Sequence, residues 1–299
     1  MRAVVIGGSG QIGGWLLRVL TERGHEAVGT YSTVPFDGLV PLDASHLAES
    51  ANWLRAQAAD VVFYPAGFTW VDGCERDPAR ARSANVEQPL NLARAAAETG
   101  ARFISFSTDY VFDGKAGPYA ETDAPNPLSV YGRAKHEAER ALGDAALTLR
   151  TTWVYGPERQ GKNFAYQLAR ALREKGELAC PSDQFSTPSY GPDVARAAVL
   201  LAERKVKGIV HVAGPEFLGR VEFARALAEA FGLDPGGIVG RRTAELGQGA
   251  PRPLRGGLRT PRLDALGPEF RMRPLADCLA DFRVQLAEPG DWVRPLFAK

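Results

Sequence analysis

A glycine-rich turn between a strand and a helix, at the start of the chain, constrains the fold more than any other sequence feature. Residues 3–6 form the short apolar run of a buried parallel strand, and residues 15–20 have the pattern of an amphipathic helix. Between them lie Gly7, Gly10 and Gly13. A helix N-terminus offers free amides to a phosphate, and glycines allow a tight turn and a close approach. Although the spacing is GxxGxxG rather than GxGxxG, the strand–turn–helix context predicts dinucleotide binding.

Length and composition limit the class of protein. The chain has 299 residues, enough for one large or two modest domains, and its formal net charge is +1. Its lysines and arginines are spread out, so neither nucleic acid nor a membrane surface is expected as a partner. No apolar run could cross a bilayer, and the N-terminus leads directly into a strand, so we expect no signal peptide. Cys74, Cys180 and Cys278 lack metal-ligand spacing, which predicts no metal site and a cytoplasmic, reduced protein.

Strand and helix patterns alternate along the first two thirds of the chain. Strands are predicted over residues 26–30, 39–42, 60–64, 102–106 and 150–156. Helices are expected over residues 86–98, opened by Asn85, and over residues 164–175. This alternation is typical of right-handed βαβ units, with helices covering both faces of a parallel sheet. The fold class predicted is therefore α/β, a Rossmann-type doubly wound parallel sheet.

Residues at the ends of early strands indicate the cofactor. An acidic residue after the second strand would bind a ribose 2′-hydroxyl, whereas a basic one would accommodate a 2′-phosphate. Tyr31 and Ser32 occupy this position, so the missing acid favours NADP, while the missing arginine leaves NAD open. Asp43 could contact the adenine, or could equally cap the following helix. Ala66 and Gly67 follow the next strand and are small enough for the backbone to pass close to a cofactor.

The chemically reactive residues are concentrated after the strand over residues 102–106. Ser107 and Thr108 follow it, at the sheet edge where doubly wound folds bind ligands. Tyr131 and Lys135 are spaced to lie on one face of a helix. An ammonium beside a tyrosine lowers its pKa from about 10, and a Ser or Thr hydroxyl can bind the same carbonyl oxygen. A lone YxxxK pair is common on helix surfaces, but the order of glycine turn, Ser/Thr and YxxxK predicts acid–base chemistry at a carbonyl.

Together these motifs resemble the extended short-chain dehydrogenases/reductases, and among them the dTDP-4-dehydrorhamnose reductase family. The resemblance rests on the glycine turn, STDYVFDG at 107–114, YGRAK at 131–135, WVYG at 153–156 and DQFSTPS at 183–189. It implies hydride transfer from NAD(P)H to the C4 keto group of a nucleotide-linked 4-keto-6-deoxy sugar. The catalytic residues implied are Thr108, Tyr131 and Lys135, with Tyr131 as proton donor, Lys135 lowering its pKa and binding the nicotinamide ribose, and Thr108 orienting the keto oxygen.

The resemblance also implies binding residues. The pyrophosphate would be held by Gly7, Gly10, Gln11, Ile12 and Gly13. The substrate would be contacted by Thr108, Asp109, Tyr110, Trp153, Asn163 and Gln184. Tyr110 stands where related dehydratases carry a glutamate, and removal of water needs both an acid and a base, so simple reduction is favoured over dehydration. An epimerase stays open, since it can use the same Tyr and Lys.

A smaller, discontinuous C-terminal substrate domain is also expected. Residues 1–156 would form the nucleotide-binding domain, with 191–214 returning to it, and residues 157–190 and 215–299 would bind the substrate. Arginines 241, 242, 252, 255 and 259 could meet a diphosphate. The segment at 252–258 lacks the Asn-Ser of the family pattern, which leaves other sugar nucleotides open. A non-catalytic NADP-binding regulatory subunit, resembling that of methionine adenosyltransferase, is the second alternative, and a homodimer is left open.

Overall fold

A seven-stranded parallel sheet organises the computed structural model, which describes residues 1–289 and 293–296. In chain order the strands are β1 (Arg2–Val5), β2 (Glu26–Tyr31), β3 (Leu39–Pro41), β4 (Val61–Tyr64), β5 (Arg102–Thr108), β6 (Leu147–Thr151), β7 (Val154–Tyr155), β8 (Leu178–Pro181), β9 (Phe185–Ser186), β10 (Ser189–Tyr190), β11 (Gly208–His211), β12 (Leu218–Gly219) and β13 (Ile238–Arg241). The α-helices are α1 (Gln11–Glu22), α2 (Leu47–Ala56), α3 (Val71–Arg76), α4 (Pro78–Arg82), α5 (Gln88–Glu98), α6 (Val130–Leu142), α7 (Phe164–Lys175), α8 (Gly191–Glu203), α9 (Arg220–Ala230), α10 (Pro261–Asp264) and α11 (Leu275–Ala287).

The order of the strands places the ligand-binding edge. The sheet runs β11-β6-β5-β4-β1-β2-β3, and each neighbouring pair is parallel. The chain proceeds outward from β1 in one direction to β3 and then crosses to β4 and proceeds in the other. The crevice beyond the carboxyl ends of β1 and β4 is therefore the point where such sheets bind ligands.

Helices cover both faces of this sheet. On one face α1 and α8 pack together over a core that includes Leu16, Leu20 and Val199. On the other face α2 and α5 pack over a core that includes Leu54 and Leu92. Because strands buried on both faces must be apolar throughout, this arrangement explains the short apolar runs of the sequence. The doubly wound α/β prediction is confirmed, and we refer to this sheet with α1–α6 and α8 as the sheet half.

The remaining helices surround a core rich in aromatic rings. It is built from α7, α9 and α11 with the parallel pair β8 and β13, and we call this part the aromatic lobe. Phe223 lies at its centre, with ring contacts to Trp153, Tyr155 and Phe164. β11 nevertheless returns to the main sheet, pairing with β6. The boundaries of the two predicted domains stay a prediction.

Two sequence-based element assignments were wrong. The chain is already helical before Asn85, because α4 continues through a π-helical turn (Ser83–Glu87) into α5. The strand expected over residues 150–156 is interrupted at Trp153, whose φ of 40° breaks the extended backbone. Consequently β6 ends at Thr151, and β7 pairs with β10 outside the main sheet. None of the helices within the described residues is both long and apolar enough to span a membrane.

Candidate active site

The glycine turn joins β1 to α1 and forms one end of the site. Gly7 has a φ of +95°, which favours glycine. At Gly13 a Cβ atom would lie 2.1 Å from the carbonyl oxygen of Gly7, so only glycine lets the helix approach the turn. Gly10 precedes α1 at its N-cap position. The turn thus presents the N-terminus of α1 to the crevice, as a phosphate requires.

A cleft of about 630 Å³ opens from this turn along the carboxyl edge of the sheet. Of the residues predicted for the site, those that line it are Gly7, Gly10, Gln11, Ile12, Gly13, Ser32, Ala66, Gly67, Thr108, Asp109, Tyr110, Tyr131, Lys135, Trp153 and Asn163. Three others lie outside its lining. Tyr31 is partly buried at the end of β2, Asp43 is exposed, and Gln184 is buried and bonded to Thr243 and Gln248.

Asp43 does not cap a helix by a side-chain bond. Its carboxylate accepts a hydrogen bond from the Ser45 backbone amide at 2.9 Å, whereas α2 begins after His46. Hydrogen bonds from Ser45 hold the pKa of Asp43 below its usual value. The carboxylate therefore stabilises the turn between β3 and α2, and its contact with an adenine stays a prediction.

Thr108, Tyr131 and Lys135 converge on the cleft from two elements. Thr108 ends β5, and α6 begins one residue before Tyr131 because the Ser129 side chain accepts a bond from the Gly132 amide. Lys135 follows one helical turn later, on the same face as Tyr131. All three are buried, and the Lys135 ammonium donates a hydrogen bond to the Phe106 carbonyl at 3.0 Å. The predicted constellation is thus brought together in space.

Burial sets the pKa values, and so the protonation states, of Tyr131 and Lys135. It raises the pKa of Tyr131 well above 10, while a hydrogen bond with Thr108 acts in the opposite direction. Burial also lowers the pKa of Lys135 to about 8, partly offset by the nearby Glu139 carboxylate. The pKa of Tyr131 was expected to be lowered, and this expectation is wrong for the protein without a bound cofactor. Desolvation of the phenolate by burial is the largest effect on the pKa of Tyr131, and it raises that pKa. Tyr131 is a protonated phenol at neutral pH, and this is the form that can donate a proton.

The close approach at Gly67 has a different cause from the one expected. A Cβ atom there would lie 2.8 Å from Asn85 Oδ1 and 3.4 Å from Lys135 Nζ. The Asn85 side chain accepts from the Phe68 amide at 3.1 Å and donates to the Phe68 carbonyl at 3.0 Å. Asn85 therefore holds the strand-end loop against the lysine. From the sequence, Asn85 is expected only to start a helix. Its polar side chain among apolar helix positions was the feature that could have indicated this buried role.

Asp109 joins three segments below the catalytic group. It is 2% exposed, and its Oδ2 accepts hydrogen bonds from Ser186 Oγ at 3.1 Å and the Gly257 amide at 3.0 Å. Burial raises its pKa, while those hydrogen bonds act to lower it. A Cβ atom at Gly256 would lie 2.6 Å from the same carboxylate. Gly256, in the segment that lacks the family's Asn-Ser, therefore fits the space beside Asp109.

The opposite wall of the cleft comes from the aromatic lobe. Asn163 caps α7 by accepting from the Ala165 amide, and its Nδ2 donates to the Gly156 carbonyl at 2.8 Å. The guanidinium of Arg220 lies 3.6 Å from the ring centroid of Trp153 and 4.4 Å from that of Phe164. No periodic pattern in the sequence indicates a role for Arg220, because it contacts Trp153 only through the packing of α9 on α7.

The arginines predicted to meet a diphosphate have separate environments. Arg252 forms a two-pronged ion pair with Asp72, with nitrogen–oxygen distances of 3.1 and 3.0 Å. Arg259 pairs with Asp123 at 3.3 Å, and Arg255 lies over Phe185. The other two, Arg241 and Arg242, are exposed. The structure does not bring these five arginines together.

The residues present fit a dinucleotide. Besides the glycine turn, three buried polar atoms of cleft-lining residues have no hydrogen-bond partner among residues 1–289 and 293–296: Gln11 Nε2, Ser107 Oγ and Thr151 Oγ1. Buried polar atoms without partners are uncommon, so a ligand with its own donors and acceptors suits them. The fold and the site define a dinucleotide-binding protein with a tyrosine–lysine pair suited to carbonyl reduction.

Comparisons with known proteins agree with this class. The pattern of the RmlD substrate binding domain family matches residues 1–283, and the chain belongs to that family. A dTDP-4-dehydrorhamnose reductase of Mycobacterium tuberculosis (strain CDC 1551 / Oshkosh) is 35% identical over 84% of this chain and 82% of the relative. The predicted family and its reductase class are confirmed.

Two further relatives bear on the cofactor and on the alternative function. The crystal structure of dTDP-4-dehydrorhamnose reductase from Bacillus anthracis in complex with NADP has a TM-score of 0.86 at 25% identity, covering 95% of this chain and 99% of that one. Methionine adenosyltransferase 2 subunit beta of Danio rerio is 30% identical over 99% of this chain and 94% of the relative. The family thus includes proteins named for catalysis and one named as a subunit of another enzyme.

Proposed function

We propose that this protein uses NADPH to reduce the C4 keto group of a dTDP-4-dehydro-6-deoxy sugar. The observation that carries the proposal is the convergence of Thr108, Tyr131 and Lys135 on the cleft that opens from the glycine turn. The relatives named as reductases of this substrate support it. The expected acceptor is a nucleotide sugar.

The chain's own residues would supply the proton for the reaction and stabilise the charges that develop as it is transferred. Bound NADPH would supply the hydride, and its pyrophosphate would lie at the glycine turn. Tyr131 would donate its phenolic proton to the oxygen that gains charge at C4, and Thr108 would donate a hydrogen bond to that oxygen. Lys135 would then offset the charge of the phenolate, since its ammonium is anchored on the Phe106 carbonyl.

The environment of Tyr110 supports reduction rather than dehydration. Its ring packs edge-on against Tyr131 with centroids 5.8 Å apart, and burial raises its pKa. A neutral phenol at this position does not supply the base that removal of water requires in addition to an acid. Simple reduction therefore needs no group beyond those present.

The remaining assignments are part of the same proposal. Ser32, at the rim of the cleft, would face the adenosine ribose with Tyr31, and this neutral pair favours NADP over NAD. Asp43 would contact the adenine. Gln184 would act through the loop that it holds rather than by contact with the sugar. Residues 157–190 and 215–299 would bind substrate, residues 1–156 and 191–214 would bind the cofactor, and the assembly would be a homodimer.

The test is oxidation of NADPH and of NADH by the purified protein, with and without dTDP-4-dehydro-6-deoxy-L-mannose. Oxidation that depends on the sugar, faster with NADPH, is expected. Size-exclusion chromatography with light scattering would check the homodimer. Tight binding of NADPH without any oxidation would contradict the proposed reaction.

That contrary result would favour the second candidate, a regulatory subunit that binds NADP without turnover. The observation in its favour is the likeness to the zebrafish beta subunit over nearly the whole chain. A change in methionine adenosyltransferase activity on addition of the protein would support it. The buried Tyr131–Lys135 pair, which binding alone does not require, favours the enzyme.

A further inference from the structure

Arg220 carries a charge that the fold leaves without a counterion. The side chain is the first of α9, and its guanidinium lies on the faces of Trp153 and Phe164, well within cation–π distance. Within the described residues, no carboxylate forms an ion pair with it. The side chain is only partly buried, so this unpaired charge stays accessible to a ligand.

The position of this charge relates it to the reacting group. Trp153, on which it lies, lines the cleft, as do Tyr110 and Asp109. Tyr110 in turn contacts the Tyr131 ring. Arg220 therefore lies beside the substrate side of the cleft, one aromatic layer from the proton donor.

The other nearby cation is already neutralised. Arg252, which also acts on Tyr110, has both prongs of its guanidinium on Asp72 and is largely buried. Asp109 is committed to Ser186 and the Gly257 amide. Exposed Lys162 also lines the cleft on this side, but Arg220 is the cation whose guanidinium is held in place by two aromatic rings and forms no ion pair within the described residues.

We propose that Arg220 is a specificity-determining residue that binds the diphosphate of the nucleotide sugar, with Trp153 and Phe164 holding its guanidinium in place. The inference rests on the proposed function for the identity of the substrate. A planar guanidinium suits a diphosphate, because its parallel N–H groups match two phosphate oxygens. Stacking fixes the plane in advance, which reduces the entropy lost on binding.

The experiment measures binding of dTDP and of thymidine by calorimetry, with saturating NADP⁺ to occupy the cofactor's own phosphate site. Arg220→Met is expected to weaken dTDP binding about 10- to 100-fold, the range of a lost charge-assisted hydrogen bond. Thymidine binding should change less than about twofold. Arg220→Lys should be intermediate, since it keeps the charge but loses the planar fork. Arg94→Met, an exposed arginine on α5, is the matched control and should change neither.

Several outcomes overturn the proposal. If Arg220→Met weakens dTDP and thymidine equally, or lowers the melting temperature with dTDP binding unchanged, Arg220 only supports Trp153. If wild-type protein binds dTDP no more tightly than thymidine, no diphosphate site exists. Failure of the proposed function gives a different result. In that case the wild type reduces no 4-keto sugar, yet Arg220→Met still loses dTDP binding selectively. The role of Arg220 in binding the diphosphate would then stand, and the proposed reaction would be wrong.

Discussion

The sheet half and the aromatic lobe use charge in opposite ways. The sheet half buries Glu139, Arg150 and His211 as a connected set, with both carboxylate oxygens of Glu139 on the Arg150 guanidinium at 2.9 and 2.7 Å. The aromatic lobe instead holds the partly exposed Arg220 against aromatic rings. Paired charges below the catalytic helix fix one geometry, whereas an unpaired charge beside the cleft can respond to a ligand. This difference fits the proposed function, in which the sheet half would position the reacting groups and the lobe would select the substrate.

The largest effect that would test this division is loss of the proton donor. Tyr131→Phe keeps the ring and its packing but removes the hydroxyl, so turnover should fall about 100- to 10,000-fold. Affinities for NADPH and for dTDP should stay within about twofold, as measured by fluorescence titration and calorimetry. Tyr64→Phe, another buried hydroxyl of the sheet half, is the control. Normal turnover in Tyr131→Phe would remove Tyr131 from the reaction.

The next effect concerns the lysine and the pH. Lys135→Met should weaken NADPH binding and lower turnover together, while Lys175→Met, at an exposed lysine that ends α7, should do neither. Burial lowers the pKa of Lys135 to about 8, so its positive charge is present below that pH and lost above it. Wild-type kcat/KM should therefore decline as pH rises through about 8. A flat profile up to pH 10 would show that the charge of Lys135 is not needed.

A smaller effect is expected from a single methyl group at the glycine turn. An alanine Cβ at position 13 would meet the Gly7 carbonyl oxygen at 2.1 Å, whereas one at position 10 would be 3.4 Å from the same atom. Gly13→Ala should lower the free energy of unfolding by about 1–3 kcal/mol, the usual range for overpacking, and Gly10→Ala by less. Thermal unfolding without added nucleotide measures both. Equal losses would mean that the packing of α1 on the turn is not the constraint.

The smallest effect concerns how the free energy of unfolding changes at acid pH through His211, which lies beside the Glu139–Arg150 ion pair. His211 Nδ1 lies 3.0 Å from the Arg259 carbonyl, and burial, with Arg150 next in importance, lowers its pKa to about 4. An unfolded imidazole titrates near ~6.5 and so takes up protons first, which means that stability falls as pH drops from about 6.5 to 4. The slope of unfolding free energy against pH should be reduced in His211→Gln and kept in His46→Gln, an exposed control. An unchanged slope in His211→Gln would assign the acid sensitivity elsewhere.

The sequence predicted most where a feature is local. The helix expected over residues 164–175 matches α7, because its cap Asn163 and its left-handed terminator Gly176 both lie in the adjoining sequence. The Tyr131–Lys135 pair is local in the same sense. Asn85 and Arg220 act through contacts with Phe68 and Trp153 that are distant along the chain, so neither periodicity nor spacing reveals them. The positive φ of Trp153 likewise depends on how the sheet half packs against the aromatic lobe, which the local sequence does not reveal.

The return of β11 to the edge of the sheet has a consequence for how such enzymes diversify. β6 ends at Thr151 and its parallel neighbour β11 begins at Gly208, so the chain leaves the sheet and comes back. Closing an excursion costs free energy that grows only logarithmically with its length, about 0.6 kcal/mol for each doubling. Insertions in the loops of this excursion, outside α8 that packs on the sheet, are therefore inexpensive for folding. Evolution, or a protein engineer, can graft a different sugar-binding surface here while inheriting the hydride-transfer chemistry intact.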